Sequence, residues 1–410
     1  MKAVFIIFSS IWLCGCSNNP SRSFFMGTTP ISATGNSFPE LRFDNLDEVD
    51  LLSLHLDDFW GIPWGSFGTD SPPPESWATK WDELRNAAQS SGKTLYLAVS
   101  PLGDRITLTR NVDGNGNTQD NWAPTDADGC YLFSSDPNAD SYKTAYLNYL
   151  EYLIDLIQPQ FLSPAIEINI LFAKCPTEKD AWIDWYSDVY SILKAAHPDL
   201  VIFPTFQLEH VYGIADAASA CQEGLSYSEC FDQRLAEILL IPADRMAFSS
   251  YPSAWEFSGE TRPSDTFTKA QSATSRKIWI TETGWPAVEI LAQYGDLPSD
   301  CGGELVPSSV ASDAKLDSYL SWLLEEARTI RFEAVIWWSH RDLLDGSVAS
   351  VCPCPGTNDT CTLTSIFRTL SPELEIVLRL FGNMGLRYYD NTARAALDIW
   401  TSFRNLSLQQ

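Results

Sequence analysis

An α/β fold of the (β/α)8 TIM barrel type is predicted by three features of the chain. Short apolar segments recur eight times along its 410 residues, helix-period stretches separate most of them, and their ends collect histidines, carboxylates and tryptophans. Parallel strands need right-handed crossovers, which is what alternating strands and helices supply. No repeat, low-complexity tract or Pro/Gly linker divides the chain, so 24–410 reads as a single domain with long loops after its strands.

The elements follow in order. Phe24 to Pro30 and Val49 to His55 read as the first two strands. Trp77, Trp81, Leu84 and Ala88 recur at helical spacing, and Gly92 stands where a C-terminal cap belongs. Thr94 to Ser100 is the third strand, and an Asp/Asn/Gly-rich loop leads from it to a helix carrying Tyr146, Leu147, Leu150, Leu153, Ile154 and Ile157 on one face. Phe161 to Asn169 is the fourth strand, with Glu167 and Asn169 on one side, and a helix with Trp182, Trp185, Val189 and Leu193 comes after it. Leu200 to Gln207 is the fifth strand, followed by a helix near Ser228 to Leu239, and Met246 to Tyr251 is the sixth. Ile278 to Glu282 is the seventh, where alternation places Ile278, Ile280 and Glu282 on one face and Gly284 and Pro286 stop the strand. A helix with Leu316, Tyr319, Leu320, Leu323 and Leu324 precedes the eighth, Phe332 to Trp338, and closing helices are expected near 376–381 and 392–403.

The two ends of the composition exclude some functions and favour an exported protein. A formal net charge of −26 repels phosphates, which argues against nucleic acid and anionic lipid headgroups as partners. Residues 1–15 read as a signal peptide: one early lysine, an apolar run too short to span a bilayer, then Leu13-Cys-Gly-Cys16. That ending resembles the bacterial lipoprotein signal, which implies a lipid on Cys16, a tether over 16–23, and contact with the cell envelope membrane through the anchor alone. Eight of the ten cysteines remain, an even count in an oxidising compartment, and Cys221 with Cys230 is the plausible local disulfide.

In a barrel of this class the chemistry sits at the C-terminal ends of the strands. Those ends here carry His55 and Asp57-Asp58, Glu167 and Asn169, Gln207, Glu209 and His210, Tyr251, Glu282, and Trp338, His340, Arg341 and Asp342. Two carboxylates facing each other across such a rim suit glycosidic bond cleavage, where one protonates the departing oxygen and the other attacks or stabilises the oxocarbenium-like carbon. Glu167 and Glu282 form the best pair, with Asp57, Asp58, Glu209 and Asp342 as competitors. Trp60, Trp64, Trp122, Trp255, Trp285, Trp337 and Trp338 offer flat faces that suit sugar rings, although packing is the usual role of any one of them. No cofactor is implied, and a monomer acting on a polysaccharide or oligosaccharide is expected.

These residues resemble the clan of retaining (β/α)8 glycoside hydrolases whose acid/base Glu ends strand four and whose nucleophilic Glu ends strand seven. Thr281-Glu-Thr-Gly-Trp-Pro286 looks like the nucleophile motif of family 17 β-1,3-glucanases. The wider layout, with Gly27-Thr-Thr-Pro30, Ile166-Glu-Ile-Asn169, Tyr251-Pro252 and the segment beginning Gly385-Leu-Arg-Tyr-Tyr, looks like bacterial relatives of family 53 arabinogalactan endo-β-1,4-galactanases. The resemblance implies Glu282 as nucleophile, Tyr251 as its orienting partner and Glu167 as acid/base, protonated by burial and by the neighbouring negative charge. Trp285, Trp338, His55, Asp57, Asn169, Gln207, His210, His340 and Arg341 are the candidate substrate-binding residues. At Ile166 the clan usually carries an Asn that bonds the sugar 2-hydroxyl.

Two alternatives stand beside this reading. A surface lipoprotein that binds glycans without cleaving them would keep the aromatic rim and need neither carboxylate. A metal-dependent hydrolase would use His55, His210 and His340 with Asp57 or Asp342, although no His-x-His spacing is present. The loop Asn111 to Asn117 has the oxygen spacing of a calcium loop but Trp122 where the last carboxylate belongs.

Overall fold

A computed structural model of the chain describes residues 21–32, 40–43, 46–69, 71–214, 219–292, 304–346 and 381–409. The signal peptide with Cys16, the cysteines at 301, 352, 354 and 361, and nearly all of the helix expected at 376–381 lie outside the described residues.

The central sheet has nine strands: β1 Phe25–Thr28, β2 Leu51–Asp57, β3 Thr94–Val99, β4 Phe161–Ser163, β5 Val201–Ile202, β6 Thr205–Gln207, β7 Arg245–Ser250, β8 Lys277–Thr283 and β9 Ala334–Trp337. Its order is β5-β4-β3-β2-β1-β9-β8-β7-β6, with every pair parallel. This is an α/β barrel arrangement, but the expected count of eight is corrected, because the fifth predicted strand is two. Pro204 has no N–H for the ladder, so β5 pairs with β4 and β6 with β7. The continuous ladder therefore does not close on itself, although only Phe203 and Pro204 separate its two end strands.

Buried aromatics fill the space within the sheet. Tyr96, Phe161, Phe203 and Trp279 form one cluster with Leu51, Ile166 and Ile336, and Tyr96 stacks on Phe203 with centroids 5.8 Å apart. The other faces of the strands meet a layer of helices: α1 Glu75–Ser91, α2 Ala139–Ile157, α3 Lys179–Ala196, α4 Tyr227–Ile238, α5 Thr266–Ala273, α6 Asp313–Ile330 and α7 Ala395–Arg404. Sequence periodicity reads these helices well: Trp77, Trp81, Leu84 and Ala88 are buried on α1, which ends at Gly92 with φ +62°. Leu316, Tyr319, Leu320, Leu323 and Leu324 are likewise the buried stripe of α6. A reciprocal Ser226–Glu229 capping box starts α4.

The fourth predicted strand is shorter than expected. It ends at Ser163, the chain then crosses the strand ends irregularly, and Asn169 begins a short helix, Asn169–Lys174. Glu167 therefore does not share a strand face with Asn169; it sits at a turn with φ +51°.

The face assignment on β8 also changes. Ile278 and Ile280 pack in the outer cluster and Trp279 in the inner one, so strict alternation would turn Glu282 outward. The β7–β8 register breaks that alternation: Phe248 pairs with Ile280, and the next pair is Ser249 with Glu282, which leaves Thr281 as an extra residue. Glu282 consequently faces the cleft, and it is Thr283 that reaches outward, to the Tyr319 hydroxyl on α6 at 2.7 Å.

Among the described residues two disulfides are present. Cys221–Cys230 is the expected local pair, and Cys130–Cys175 joins the long loop after β3 to the end of the short helix that follows Glu167.

Candidate active site

Glu282 is set by three strand ends. β8 carries it beyond the bulge, the Tyr251 hydroxyl just after β7 donates to its Oε1, and His55 Nε2 on β2 lies 3.5 Å from its Oε2. Gly284 two residues on is required by close approach: a Cβ there would come within 2.6 Å of the Trp338 carbonyl and 2.7 Å of Met384 Sδ. Burial is the main influence on Glu282 and raises its pKa; the neighbouring Glu167 adds to the rise, while His55 and Tyr251 oppose it, and the net shift is upward.

Glu167 faces the same cleft from its turn after β4. Its backbone N–H donates to Thr205 Oγ1 at 2.9 Å, Ser249 Oγ donates to Oε1, and Arg105 Nε donates to Oε2 at 3.0 Å. Ser249 is the residue paired with Glu282 across β7 and β8, so one residue ties the two carboxylates to a common strand end. Burial works to raise the Glu167 carboxyl, but the Arg105 guanidinium and the bond from Ser249 outweigh it, and the group sits below its ordinary value. The shift of Glu167 runs against the expected direction, because the Arg105 guanidinium and the Ser249 hydroxyl both favour its carboxylate.

Arg105 was not legible as a site residue. It lies in the turn of a two-stranded hairpin, Leu102–Gly103 with Thr107–Leu108, where Asp104 and Arg105 both adopt positive φ, +47° and +65°. Its Nη1 donates to both oxygens of Asp57, at 2.9 and 2.7 Å. The only sequence signal was its place just past the end of the third strand. Next to this pair, burial and the charge of Asp57 push Asp58 up to about 6, against Arg110 and Arg105.

Beneath the pair lies Glu209, 1% exposed. It accepts from Ser250 Oγ at 2.9 Å, the Tyr251 N–H at 3.0 Å and Gln207 Nε2 at 2.7 Å, and burial raises its pKa. Glu209 thus supports the Tyr251 turn rather than facing the cleft as a third acid. Gln207 caps the short helix Leu208–Tyr212 through the His210 N–H, and His210 is near enough to favour the ionised form of Glu167.

Other sequence candidates are placed elsewhere. The Asn169 amide is paired with the Gln207 backbone in both directions, at 2.8 and 2.9 Å. His340 Nε2 lies 2.7 Å from Glu48, which also binds Arg387, and Arg341 donates to the Tyr389 carbonyl and faces its ring. Asp342 pairs with buried Arg394. With His340 drawn to Glu48, the three histidines do not converge, and among the described residues no group of three His, Cys, Asp or Glu side chains could hold a metal ion. In the 111–117 loop the Asp113 carboxylate accepts the Asn115 and Asn117 N–H groups at 2.9 Å, closing the turn on itself.

The tryptophans are mostly packing. Trp64 and Trp122 both donate to the Thr109 carbonyl, Trp60 packs edge-on against Trp81, Trp255 lies between Tyr212 and Tyr227, and Trp337 donates to the Met384 carbonyl. Trp285 donates to the Val310 carbonyl and packs on Tyr319. Trp338, which follows Thr283 through a backbone bond, shares a wall with Phe381 and Tyr251; the Tyr251 and Phe381 rings are 4.6 Å apart. Phe381 was not foreseen, because nothing in its local sequence places it there.

No protein-family profile and no curated protein sequence matches the chain. Solved structures do share its fold. A GH5_18 protein from Bifidobacterium longum subsp. longum is 13% identical, with a TM-score of 0.55 over 95% of this chain and 81% of that one. A GH5_18 protein from Streptomyces cattleya in complex with GlcNAc is 14% identical, with a TM-score of 0.54 over 95% of this chain and 83% of the other. A Bifidobacterium longum GH5_18 structure in complex with Manb1-4GlcNAc is 13% identical, with a TM-score of 0.54 over 95% of this chain and 80% of the other. The likeness agrees with the α/β barrel fold, and the resemblances to families 53 and 17 are not confirmed. At such identity the likeness establishes the fold alone.

Proposed function

We propose that this chain is a retaining β-glycosidase acting on a polysaccharide or oligosaccharide, with Glu282 as nucleophile and Glu167 as acid/base. The observation that carries this reading is two carboxylates brought together at the strand ends, each held by its own donors. Double displacement needs carboxyls about 5–5.5 Å apart. What supports a close pair is Ser249, which sits beside Glu282 in the sheet and donates to Glu167. In this scheme Glu282 attacks the anomeric carbon, Tyr251 orients it, and Glu167 protonates the departing oxygen and later activates water. Tyr251, Phe381 and Trp338 supply a wall for the sugar ring.

The nucleophile motif and layout point to β-galactan or β-glucan substrates, and the Manb1-4GlcNAc bound by one structural neighbour adds β-mannosides to the range. Purified protein is to be screened against β-galactans, β-1,3- and β-1,4-glucans, mannans and Manβ1-4GlcNAc, with the first-formed anomer read by NMR. Retention of the β-anomer is expected. Absence of turnover on the whole panel leaves a glycan-binding protein, and an α-product removes the double-displacement scheme.

The reading extends to location. Residues 1–15 serve as an export signal and Cys16 carries a lipid that holds the 24–410 unit at the bacterial envelope, on the support of the Leu13-Cys-Gly-Cys16 ending.

A further inference from the structure

Glu167 is bound in a way that favours its carboxylate form. A guanidinium is always charged and only donates hydrogen bonds, so Arg105 Nε at 3.0 Å from Oε2 stabilises the ionised group over the protonated one. Ser249 donates to the other oxygen. A hydroxyl can reverse its direction; Arg105 has no such freedom. Glu282, by contrast, has Tyr251 and His55 as neighbours, and each can act as either donor or acceptor.

Arg105 is also held firmly from behind. Asp57 takes Nη1 with both oxygens, and the three members of the chain Asp57–Arg105–Glu167 all adopt left-handed backbone, with φ of +49°, +65° and +51°. Such conformations are uncommon outside glycine, and three on interacting residues show that the surrounding structure fixes them. The charged and titratable groups facing Glu167 are Arg105 from the hairpin, with Asp57 of β2 behind it, His210 from the helix after β6, Tyr251 after β7 and Glu282 on β8.

We propose that Arg105, gripped by Asp57, is a positioning residue that keeps Glu167 as a carboxylate in the ligand-free site, so that glycosidic cleavage begins only when a bound ligand draws Arg105 off Oε2. Glu167 then takes up one proton from solvent and becomes the donor, Glu282 attacks as the carboxylate, and no other reactant is consumed. The inference rests on the acid/base reading of Glu167.

The test reads the ionisation directly, so it does not depend on turnover. The full chain is labelled with 13C at the glutamate side-chain carboxyl, the Glu167 resonance is assigned by its loss in Glu167→Gln, and its titration is followed in wild type, Arg105→Gln and Arg105→Lys. Glu167 is expected to titrate below the ordinary glutamate range in wild type and to move up by about 1–3 pH units in Arg105→Gln, the shift an adjacent opposite charge produces. Arg105→Lys, which keeps the charge, is expected to restore at least half of that shift, an effect that simple loss of packing would not give. Should Arg105→Gln fail to fold, the wild-type and Arg105→Lys titrations still decide. A wild-type Glu167 already protonated at pH 5, or an unchanged midpoint in Arg105→Gln, overturns the proposal. If no glycan is cleaved while the titrations behave as expected, the glycosidase reading fails and the Arg105 clamp stands.

Discussion

Glu167 and Glu282 differ in what holds them, and variants should separate their roles. Glu282 sits against Tyr251 and His55, whereas Glu167 is held by Arg105 and Ser249. Glu282→Ala is expected to remove turnover, with a loss of about 10⁴-fold or more, because no covalent intermediate can form. Glu167→Ala is expected to lose about 10²–10⁴-fold on substrates with poor leaving groups and to retain cleavage of activated aryl glycosides, which need no proton. Rates for the two substrate types, measured side by side on each variant, check this; equal losses on both for Glu167→Ala would remove its role as acid. Another residue-scale prediction concerns Glu48. Burial opposes ionisation there, but His340 and Arg387 prevail and lower its pKa from 4.5 to about 2. The folded protein therefore binds fewer protons than the unfolded chain between those values, so this stability is present above about pH 4.5 and lost as pH falls toward 2. The group is partly exposed, so after solvent screening the contribution is about 1–2 kcal/mol. Thermal melts across that range should fall more steeply for wild type than for Glu48→Gln, and parallel curves would show that the pair contributes nothing.

At the scale of elements, the site depends on local departures from regular structure. Thr281 is the extra residue on β8, and it turns the carboxylate that follows from the helix layer into the cleft. Pro204 interrupts the fifth predicted strand, and the hydroxyl of the next residue, Thr205, accepts the Glu167 N–H. The hairpin that presents Arg105 belongs to the long loop after β3, and Cys130–Cys175 ties that loop to the end of the segment bearing Glu167 across 45 residues. Closing a loop of this length removes entropy from the unfolded chain, and replacing both cysteines with serine is expected to cost about 2–5 kcal/mol. The check is a denaturant titration of the double variant against wild type under non-reducing conditions; coincident midpoints would show that the bridge adds no stability.

Across the whole molecule, the two ends of the described chain are locked to the same strand entry. Ser21–Arg22 pairs in parallel with Ser407–Leu408, and Arg22 and Arg404 both contact Asp50, at 2.7 and 3.1 Å. Trp400 on α7 is fully buried and donates to the Glu48 carbonyl at 2.8 Å, so the terminal helix packs where β2 begins. Trp400→Ala is expected to cost about 3–5 kcal/mol, combining lost burial with an unfilled cavity, and to do so without altering the pH dependence of turnover. Calorimetry with parallel kinetics checks both halves. The proposed anchor acts at this scale too: Cys16→Ala should move the protein from detergent-rich membrane fractions to the soluble phase, and continued partitioning into detergent would refute lipidation at that residue.

The helices, the apolar strands and Glu282 at a strand end were legible because they depend on neighbours within a few residues. The stripe from Leu316 to Leu324 and the run from Lys277 to Glu282 carry their burial in their own spacing. Tertiary structure alone decided which way Glu282 points, since that turns on the register between β7 and β8 rather than on alternation along β8. It also decided that His340 goes to Glu48, 292 residues away, and that Arg105 meets Glu167 across 62 residues. A charged side chain at a strand end has several partners within reach, and local sequence contains nothing about which of them the packing of distant elements brings to about 3 Å. The chain by itself thus determined that carboxylates would gather at one rim, while the fold decided which of them come together and that Arg105 bridges Asp57 and Glu167.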